Sequence, residues 1–366
     1  MVQEDLKIED FDGVGTGTAE KLHDEGYKTW QQIAMERPSE LAEVKGVGDS
    51  TAESMVLEAR EKLQIGGIQS AKSKKEVLEN MDRLSIIVDG EYRPDVDPDD
   101  EDWVEPNEVN ALFGGGIEKG CITEINGKYG AGKSQITHQI CVNVQLPKEY
   151  GGLSGRAMFI DTEDTFRPER IEQMVLGLPD NVLENELERR GIEGSLDDPE
   201  TRDALVESFL SKINFLGATD SEDQIRGVNE LVEPFVVDQL DSDWPVKLVV
   251  VDSLTAHFRA EYTGRGKLAN RQQKLGEHLG VLDSIASTYD LPVVITNQMV
   301  DSPGTAFGDP KSAIGGNIVG HRVRFRTRVK PRGGEKRVLE MVKAAHLNDG
   351  EAPFTMPHNG ALELAD

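Results

Sequence analysis

The feature that most constrains this chain is one glycine-rich run, Gly127-Lys128-Tyr129-Gly130-Ala131-Gly132-Lys133-Ser134. It reads G-x-x-x-x-G-K-S, follows an apolar run at 121–125 and precedes a helical pattern over 135–144. A loop of this kind between a strand and a helix cradles phosphates with backbone N–H groups, while Lys133 reaches the β- and γ-phosphates and Ser134 holds Mg²⁺. A chance glycine turn would not need the final Lys-Ser pair, so the run predicts a P-loop.

Residues 106–366 alternate predicted strands with predicted helices. The strands are expected at 122–125, 157–160, 213–216, 248–251 and 293–296. This alternation is typical of an α/β domain with a mainly parallel sheet. Ligands of such sheets bind beyond the carboxyl ends of the strands, so the functional site is expected at that edge.

Polar side chains follow three of these strands at the point where each strand ends. Asp252 follows four apolar residues and is expected to help hold Mg²⁺. Glu163 can orient and deprotonate an attacking water, and Gln298 can sense a γ-phosphate. A single acid in such a place could instead cap the next helix. Three such positions beside a P-loop predict an ATPase site that uses ATP and Mg²⁺.

Residues 1–64 are predicted to form a small all-α domain in which one motif occurs twice. Gly13-Val14-Gly15 and Gly46-Val47-Gly48 are each followed, three residues later, by Thr-Ala-Glu. This is the helix–hairpin–helix pattern, whose glycines let backbone N–H groups approach a phosphate. Such units also serve as protein-contact modules, and the sequence leaves DNA binding by this domain open.

The charge of the chain supports two interpretations. The formal net charge is −27, which taken alone argues against a nucleic-acid partner because a polyanion repels DNA. Adaptation to concentrated salt is the alternative, since the Debye length falls to about 3 Å at 1 M and local basic sites could then still bind. Part of the acid lies at 95–105, within a predicted linker at 65–105.

Two further features of the composition bear on location. The chain has no run of 18 apolar residues and no basic-then-apolar N-terminus, so neither a membrane partner nor secretion is expected. Cys121 and Cys141 offer neither zinc spacing nor a disulfide framework. They are expected to be small core residues in a reducing, cytoplasmic environment.

Four more runs carry a resemblance to a known family. They are D-T-E-D-T-F-R-P-E-R-I at 161–171, V-D-S-L-T-A-H-F-R-A-E-Y at 251–262, G-R-G-K-L-A-N-R-Q-Q-K-L at 264–275, and F-G-D-P with I-G-G-N-I at 307–310 and 314–318. Together they resemble the archaeal branch of the RecA family of recombinases, and the acidic composition resembles haloarchaeal members. The likeness spans nearly the whole chain. It implies a RecA-like P-loop ATPase core at 106–366, preceded by the helix–hairpin–helix domain.

The resemblance implies a function and a set of roles. It implies a homo-oligomeric filament or ring on single-stranded DNA that pairs homologous double-stranded DNA and exchanges strands, driven by ATP. Catalytic roles are implied for Lys133, Glu163 and Gln298, and stacking on adenine for Arg170. DNA contacts are implied for two loops, at Arg259, Arg265, Arg271, Phe307, Gly315, Gly316 and Asn317.

Three places depart from the family's pattern or add to it. The oligomerisation motif Phe-x-x-Ala reads Ile68-Gln69-Ser70-Ala71, with a smaller side chain at Ile68. The cap segment, usually Asp-Ala-Pro, begins with Lys343, whose ammonium is expected either to serve a neighbouring subunit's phosphate or to point to solvent. Arginines also alternate along 322–328, either as a solvated strand face or as an extra DNA contact.

Other functions remain open at this point. A paralogue of such a recombinase, binding ATP and assisting another recombinase, would fit the departures at Ile68 and Lys343. A hexameric helicase or a regulatory RecA-like ATPase can share the P-loop core. Neither of those should combine it with this N-terminal unit and these loops, so strand exchange is the favoured prediction.

Overall fold

A computed structural model describes residues 7–63, 70–94, 96, 100, 103–301, 311–313 and 316–365. The chain divides into two compact units. The first comprises residues 1–81 with 233–238, and the second comprises 82–232 with 239–366. The boundaries expected at 64 and 105 stay predictions.

The first unit is helical. Its helices are α1 (Thr16–Asp24), α2 (Trp30–Met35), α3 (Pro38–Leu41), α4 (Asp49–Lys62), α5 (Ala71–Glu79) and, later in the chain, α12 (Glu233–Asp238). Gly13 and Gly46 adopt φ values of 80° and 103°, so each hairpin uses a conformation that other residues disfavour. The valine of each Gly-Val-Gly run is buried in the core of this unit, where Phe11 stacks on Trp30 at 3.8 Å. In both repeats the residue between the two glycines, Val14 or Val47, therefore packs into the apolar core.

The second unit contains the other helices and all the strands of the described residues. The helices are α6 (Glu108–Ala111), α7 (Lys133–Asn143), α8 (Pro168–Leu176), α9 (Asp180–Arg189), α10 (Pro199–Leu210), α11 (Ser221–Gly227), α13 (Ala256–Glu261), α14 (Leu268–Thr288) and α15 (Gly316–Arg322). The strands are β1 (Arg83–Leu84), β2 (Ile117–Glu118), β3 (Ile122–Gly127), β4 (Arg156–Asp161), β5 (Ile213–Gly217), β6 (Val246–Asp252), β7 (Val293–Asp301), β8 (Lys311–Ala313), β9 (Phe325–Gly333), β10 (Lys336–Lys343), β11 (Gly350–Thr355) and β12 (Glu363–Leu364).

Ten of the described strands form one sheet. Its order is β5-β4-β6-β7-β3-β9-β10-β11-β12, and β8 pairs with β7 outside this path. The pairs from β5 to β9 are parallel, whereas β9 to β12 and β7–β8 pair antiparallel. β1 and β2 form a separate two-stranded sheet. The predicted fold class is confirmed: an α/β unit with a mainly parallel sheet, preceded in the chain by a small all-α unit. All five predicted strands are present.

The central strands are buried because helices cover both faces of a parallel sheet. The apolar run Leu248–Val251 is fully buried, as are Val293–Ile295 of β7. Such continuous apolar runs fit strands with two covered faces. Register then aligns the ends of the strands: Asp161 of β4 lies opposite Asp252 of β6, and Gly127 of β3 lies opposite Gln298 of β7. The polar residues after each strand are thus brought to one edge.

Within the described residues, no helix combines the length and the apolar character that crossing a membrane would need.

Candidate active site

The P-loop joins β3 to α7. Gly132 is the residue that caps the start of α7, and its φ of 106° places it where side chains are disfavoured. A Cβ atom there would meet the end of the Met356 side chain, which would have to move. Lys133 Nζ donates to the carbonyl oxygen of Lys128 at 3.3 Å, and its ammonium therefore lies across the loop. Burial lowers the pKa of Lys133, and the nearby carboxylates of Asp252 and Glu163 oppose that shift.

The groups expected to hold Mg²⁺ fit that ion. Asp252 is only 2 % exposed, and burial raises its pKa against hydrogen bonds from Thr296 and Ser134. Thr296 donates to its Oδ1, while its Oδ2 is buried without a hydrogen-bond partner in the described part of the chain. Mg²⁺ usually combines one or two protein oxygens with waters and phosphates. A hydroxyl from Ser134 and one buried carboxylate oxygen suit it.

Glu163 lies between the ends of two other strands. Its Oε1 accepts hydrogen bonds from Ser253 Oγ at 2.8 Å and from Gln298 Nε2 at 2.9 Å. The side chain is solvent-exposed, so water can reach the carboxylate. The residue predicted to activate water and the residue predicted to sense the phosphate are therefore in direct contact.

Asp161 holds the loop that carries Glu163, a role the sequence reasoning missed. Its carboxylate accepts hydrogen bonds from the backbone N–H groups of Glu163, Thr165 and Phe166, at 2.9–3.0 Å. An aspartate at the end of a strand, followed by a turn, is the available sequence signal, because aspartate readily bonds amides two to five residues ahead. The loop geometry is thus set before any substrate binds.

Arg259 extends this chain of contacts toward the first predicted DNA loop. It lies on α13, is exposed, and donates from Nη1 to Gln298 Oε1 at 3.1 Å. Gln298 therefore uses both ends of its amide, the nitrogen toward Glu163 and the oxygen toward Arg259. The side chain of Gln298 alone therefore connects Arg259, a predicted DNA-binding residue, with Glu163, the predicted catalytic base.

Arg170 lies beside the P-loop helix, as expected for a nucleotide-binding residue. It is 9 % exposed and donates to the side chains of Gln135 and Gln173 and to the carbonyl oxygens of Pro357 and His358. These groups line a cavity of about 360 Å³ together with Arg337. Stacking on adenine stays a prediction.

Arg337 is a second residue that the sequence reasoning missed. Its Nε donates to the carbonyl oxygen of Ala131 at 3.1 Å, and its Nη1 bonds two carbonyl oxygens of its own hairpin. It supports the P-loop from β10, and nothing in the spacing of the motifs points to it.

The other predicted site residues are distributed as follows. Tyr129 projects from the P-loop with 91 % exposure. Arg265 begins a single helical turn at 265–267, and Arg271 lies on α14. Ala71 begins α5, and Gly316 and Asn317 begin α15. Three predicted residues lie outside the described residues: Ile68, Phe307 and Gly315.

The alternating basic residues at 324–330, of which the first directly precedes β9, are paired with acids. Arg324 bonds Glu118, Arg326 bonds Glu124, and Arg328 and Lys330 both meet Glu340, with Lys330 Nζ at 2.8 Å from Oε1. Glu118 and Glu124 are buried, so this is not a solvated face. Arg322, the first arginine of the alternation, lies on α15 and meets Asp283 at 3.4 Å. The interpretation as a solvated strand face is therefore wrong, while an extra DNA contact stays a prediction.

Lys343 is bound within its own chain. Its Nζ donates to the carbonyl oxygens of Gly320 and Val323, each at 2.7 Å, at the end of α15. The interpretation in which Lys343 points to solvent is wrong, because the ammonium is half-buried and has two acceptors. A contact with a neighbouring subunit's phosphate stays a prediction.

Comparison with known proteins decides the family. The sequence model described as Rad51 matches residues 105–192 and 206–364. The chain belongs to the Rad51 family. The predicted resemblance to RecA-family recombinases is thereby confirmed. A second model, the SAM-like helix-hairpin-helix tandem, matches residues 5–61.

Relatives of this Rad51-family chain match over nearly its full length. The DNA repair and recombination protein RadA of Halobacterium salinarum is 44% identical over 96% of this chain and 97% of its own. The RadA proteins of Haloquadratum walsbyi and Haloferax volcanii are each 46% identical, over 97% and 96% of this chain and 98% and 96% of their own. All three relatives come from haloarchaea, as the acidic composition predicts.

Proposed function

We propose that this chain is an ATP-dependent DNA recombinase that assembles on single-stranded DNA and exchanges strands with homologous duplex DNA. The observation that carries the proposal is the continuous set of contacts from Arg259 through Gln298 to Glu163. It joins a cation suited to phosphate contact with a carboxylate suited to water activation. Family membership and the RadA relatives support the same conclusion.

The geometry supports a mechanism of hydrolysis. The P-loop amides and the ammonium of Lys133 would hold the phosphates of ATP, and Ser134 and Asp252 would hold Mg²⁺, which when bound would supply positive charge to the phosphates. Glu163 orients a water and takes its proton. Gln298 can exchange its bond with Glu163 for a γ-phosphate oxygen, which would shift the start of the second loop. DNA contact at Arg259 acts on the same amide from the other side.

Assembly is the part of the proposal that depends on the linker. Ile68 and Ala71 are proposed to occupy an apolar pocket on a neighbouring copy, with the linker pairing to an exposed strand edge. In the described sheet β5 is an edge strand, and its Phe215 is 51 % exposed. A filament or a ring is consistent with this mode. The two free, buried cysteines fit a cytoplasmic location.

The second candidate is a paralogue that binds ATP and assists another recombinase. Ile68 in place of the aromatic residue favours it, because a smaller side chain fills such a pocket less completely. The complete site and the contact between Arg259 and Gln298 favour the recombinase. Joint-molecule formation by the purified protein alone separates the two functions.

The decisive experiment combines that assay with a matched pair of variants. The wild-type protein should convert circular single-stranded and homologous linear DNA to joint molecules with ATP and Mg²⁺. Glu163→Gln should still bind ATP but hydrolyse it about 10²–10⁴-fold more slowly, the usual contribution of a general base. Lys133→Ala is the control and should lose nucleotide binding. Turnover by Glu163→Gln at the wild-type rate would remove the assigned base.

A further inference from the structure

The segment 299–317, the second predicted DNA loop, has two stems that lie side by side. β7 carries the chain into it and β8 pairs with β7 antiparallel, with Met299 opposite Ala313 and Asp301 opposite Lys311. α15 begins at Gly316 and leads directly toward β9. Any group that holds both stems therefore sets the base of the loop.

The first stem is held through Asn297, the residue before Gln298. Asn297 is fully buried, and its Nδ2 donates to Glu124 Oε1 at 2.8 Å. Its Oδ1 accepts a hydrogen bond from Thr255 Oγ1 at 2.8 Å. The Asn297 amide thus connects β7 to the carboxylate of Glu124 on β3. Glu124 lies three residues before Gly127, where the P-loop begins.

The second stem is held at the end of α15. Lys343 Nζ donates to the carbonyl oxygens of Gly320 and Val323, which the end of a helix leaves without partners. Arg326 lies against the same turn, since a Cβ on Gly320 would be 3.3 Å from its Nη1. The Nε of Arg326 in turn donates to Glu124 Oε2. Both stems therefore lead to one side chain.

That side chain is a buried charge in a balanced setting. Glu124 is fully buried, and burial raises its pKa, while Arg326, Asn297 and Lys343 all act to lower it. A buried carboxylate is tolerated at this position because each of its two oxygens accepts a hydrogen bond. Its strand, β3, ends in the P-loop at Gly127, so the loop stems and the phosphate cradle share one support.

We propose that Glu124 is a positioning residue that fastens both stems of the segment 299–317 to the P-loop strand and so couples DNA binding to ATP turnover. This inference rests on the proposed function, because the coupling has meaning only if that segment contacts DNA. Glu124 is fully buried, and no contact with ATP or DNA is proposed for it. It acts through Asn297 on one side and through Arg326 on the other.

The test compares Glu124→Gln with Glu118→Gln. Glu118 is also a buried glutamate bonded to an arginine, with Arg324 Nη1 at 2.6 Å, but its partners Arg324 and Arg83 lie outside both stems. ATP turnover is measured with and without single-stranded DNA, and melting temperatures report folding. The ratio of the two rates should fall at least about fivefold in Glu124→Gln, the lower end of typical couplings between sites. Glu118→Gln should keep the wild-type ratio.

Each result decides the matter. A wild-type ratio in folded Glu124→Gln, or an equal loss in Glu118→Gln, would overturn the positioning role. If Glu124→Gln does not fold, Lys343→Gln serves instead, since it releases only the second stem and should lower the same ratio to a smaller extent. A wild-type ratio of ATP turnover with and without DNA in Lys343→Gln would also overturn the proposal. A wild-type protein that DNA does not stimulate would instead overturn the proposed function itself.

Discussion

Two rows of basic residues in this molecule are both possible DNA contacts by sequence, and they differ in structure. One is the first-loop row, Arg259, Arg265 and Arg271. The other, called the β9 row, consists of Arg324, which directly precedes β9, and of Arg326, Arg328, Lys330 and Arg332. Every member of the β9 row meets a carboxylate. In the described part of the chain, Arg259 and Arg271 form no ion pair, and Arg259 bonds only the neutral amide of Gln298.

From this difference we expect pairing, rather than spacing, to decide whether a cation can bind DNA. A paired arginine must give up its carboxylate before it can take a phosphate, and a buried carboxylate left alone is costly. An amide partner leaves the full positive charge in place. In an acidic chain with 67 Asp and Glu residues against 40 Lys and Arg, unpaired cations are the informative ones.

The largest expected effect is on stability at the buried end of the β9 row. Arg326→Gln leaves the charge of Glu124 buried with weaker partners, and it should lower the free energy of unfolding by about 3–5 kcal/mol. Urea denaturation followed by circular dichroism measures this. A loss below 1 kcal/mol would mean that the row is a surface feature after all.

The intermediate effect is on DNA binding in the first-loop row. Arg259→Ala should weaken binding to single-stranded DNA of any sequence and reduce the salt slope by about 0.7, the loss of one phosphate contact on a single strand. Anisotropy titrations at several salt concentrations measure the slope, with Arg259→Lys as the control that keeps the charge. A changed sequence preference instead would mean that Arg259 reads bases.

The smallest effect is expected at the exposed end of the β9 row. Arg332, whose side chain is 55% exposed, meets Glu351 at 3.3 Å. Arg332→Ala should change stability by less than about 1 kcal/mol, as exposed pairs do, and leave DNA affinity unaltered. The same two assays apply. A loss of DNA affinity comparable to that of Arg259→Ala would break the contrast between the rows.

The sequence sufficed for the fold class, and it named residues that the structure brings together, whose roles stay predictions. Period, apolar runs and the P-loop pattern located the central strands, and Glu163, Asp252 and Gln298 meet at one edge because parallel register aligns their positions. What it could not supply were contacts between distant segments. The support of Ala131 by Arg337 spans 206 residues, and that of Glu124 by Arg326 spans 202. The alternation of arginines predicted one strand face, but Arg322 lies on α15, and the acids that meet the other arginines come from distant segments.

The three hydrogen bonds that the Asp161 carboxylate accepts from backbone amides have a consequence for the rate of the proposed hydrolysis. Because this carboxylate already fixes the backbone of the Glu163 loop, the loop needs little rearrangement when proton transfer begins. In enzymes, much of the barrier in water comes from reorienting dipoles around developing charge, and fixed dipoles avoid that reorganisation energy. In the proposed mechanism the side chain that moves is the amide of Gln298. We therefore expect one side-chain rotation to control turnover while the hydrogen-bonded Glu163 loop keeps its geometry.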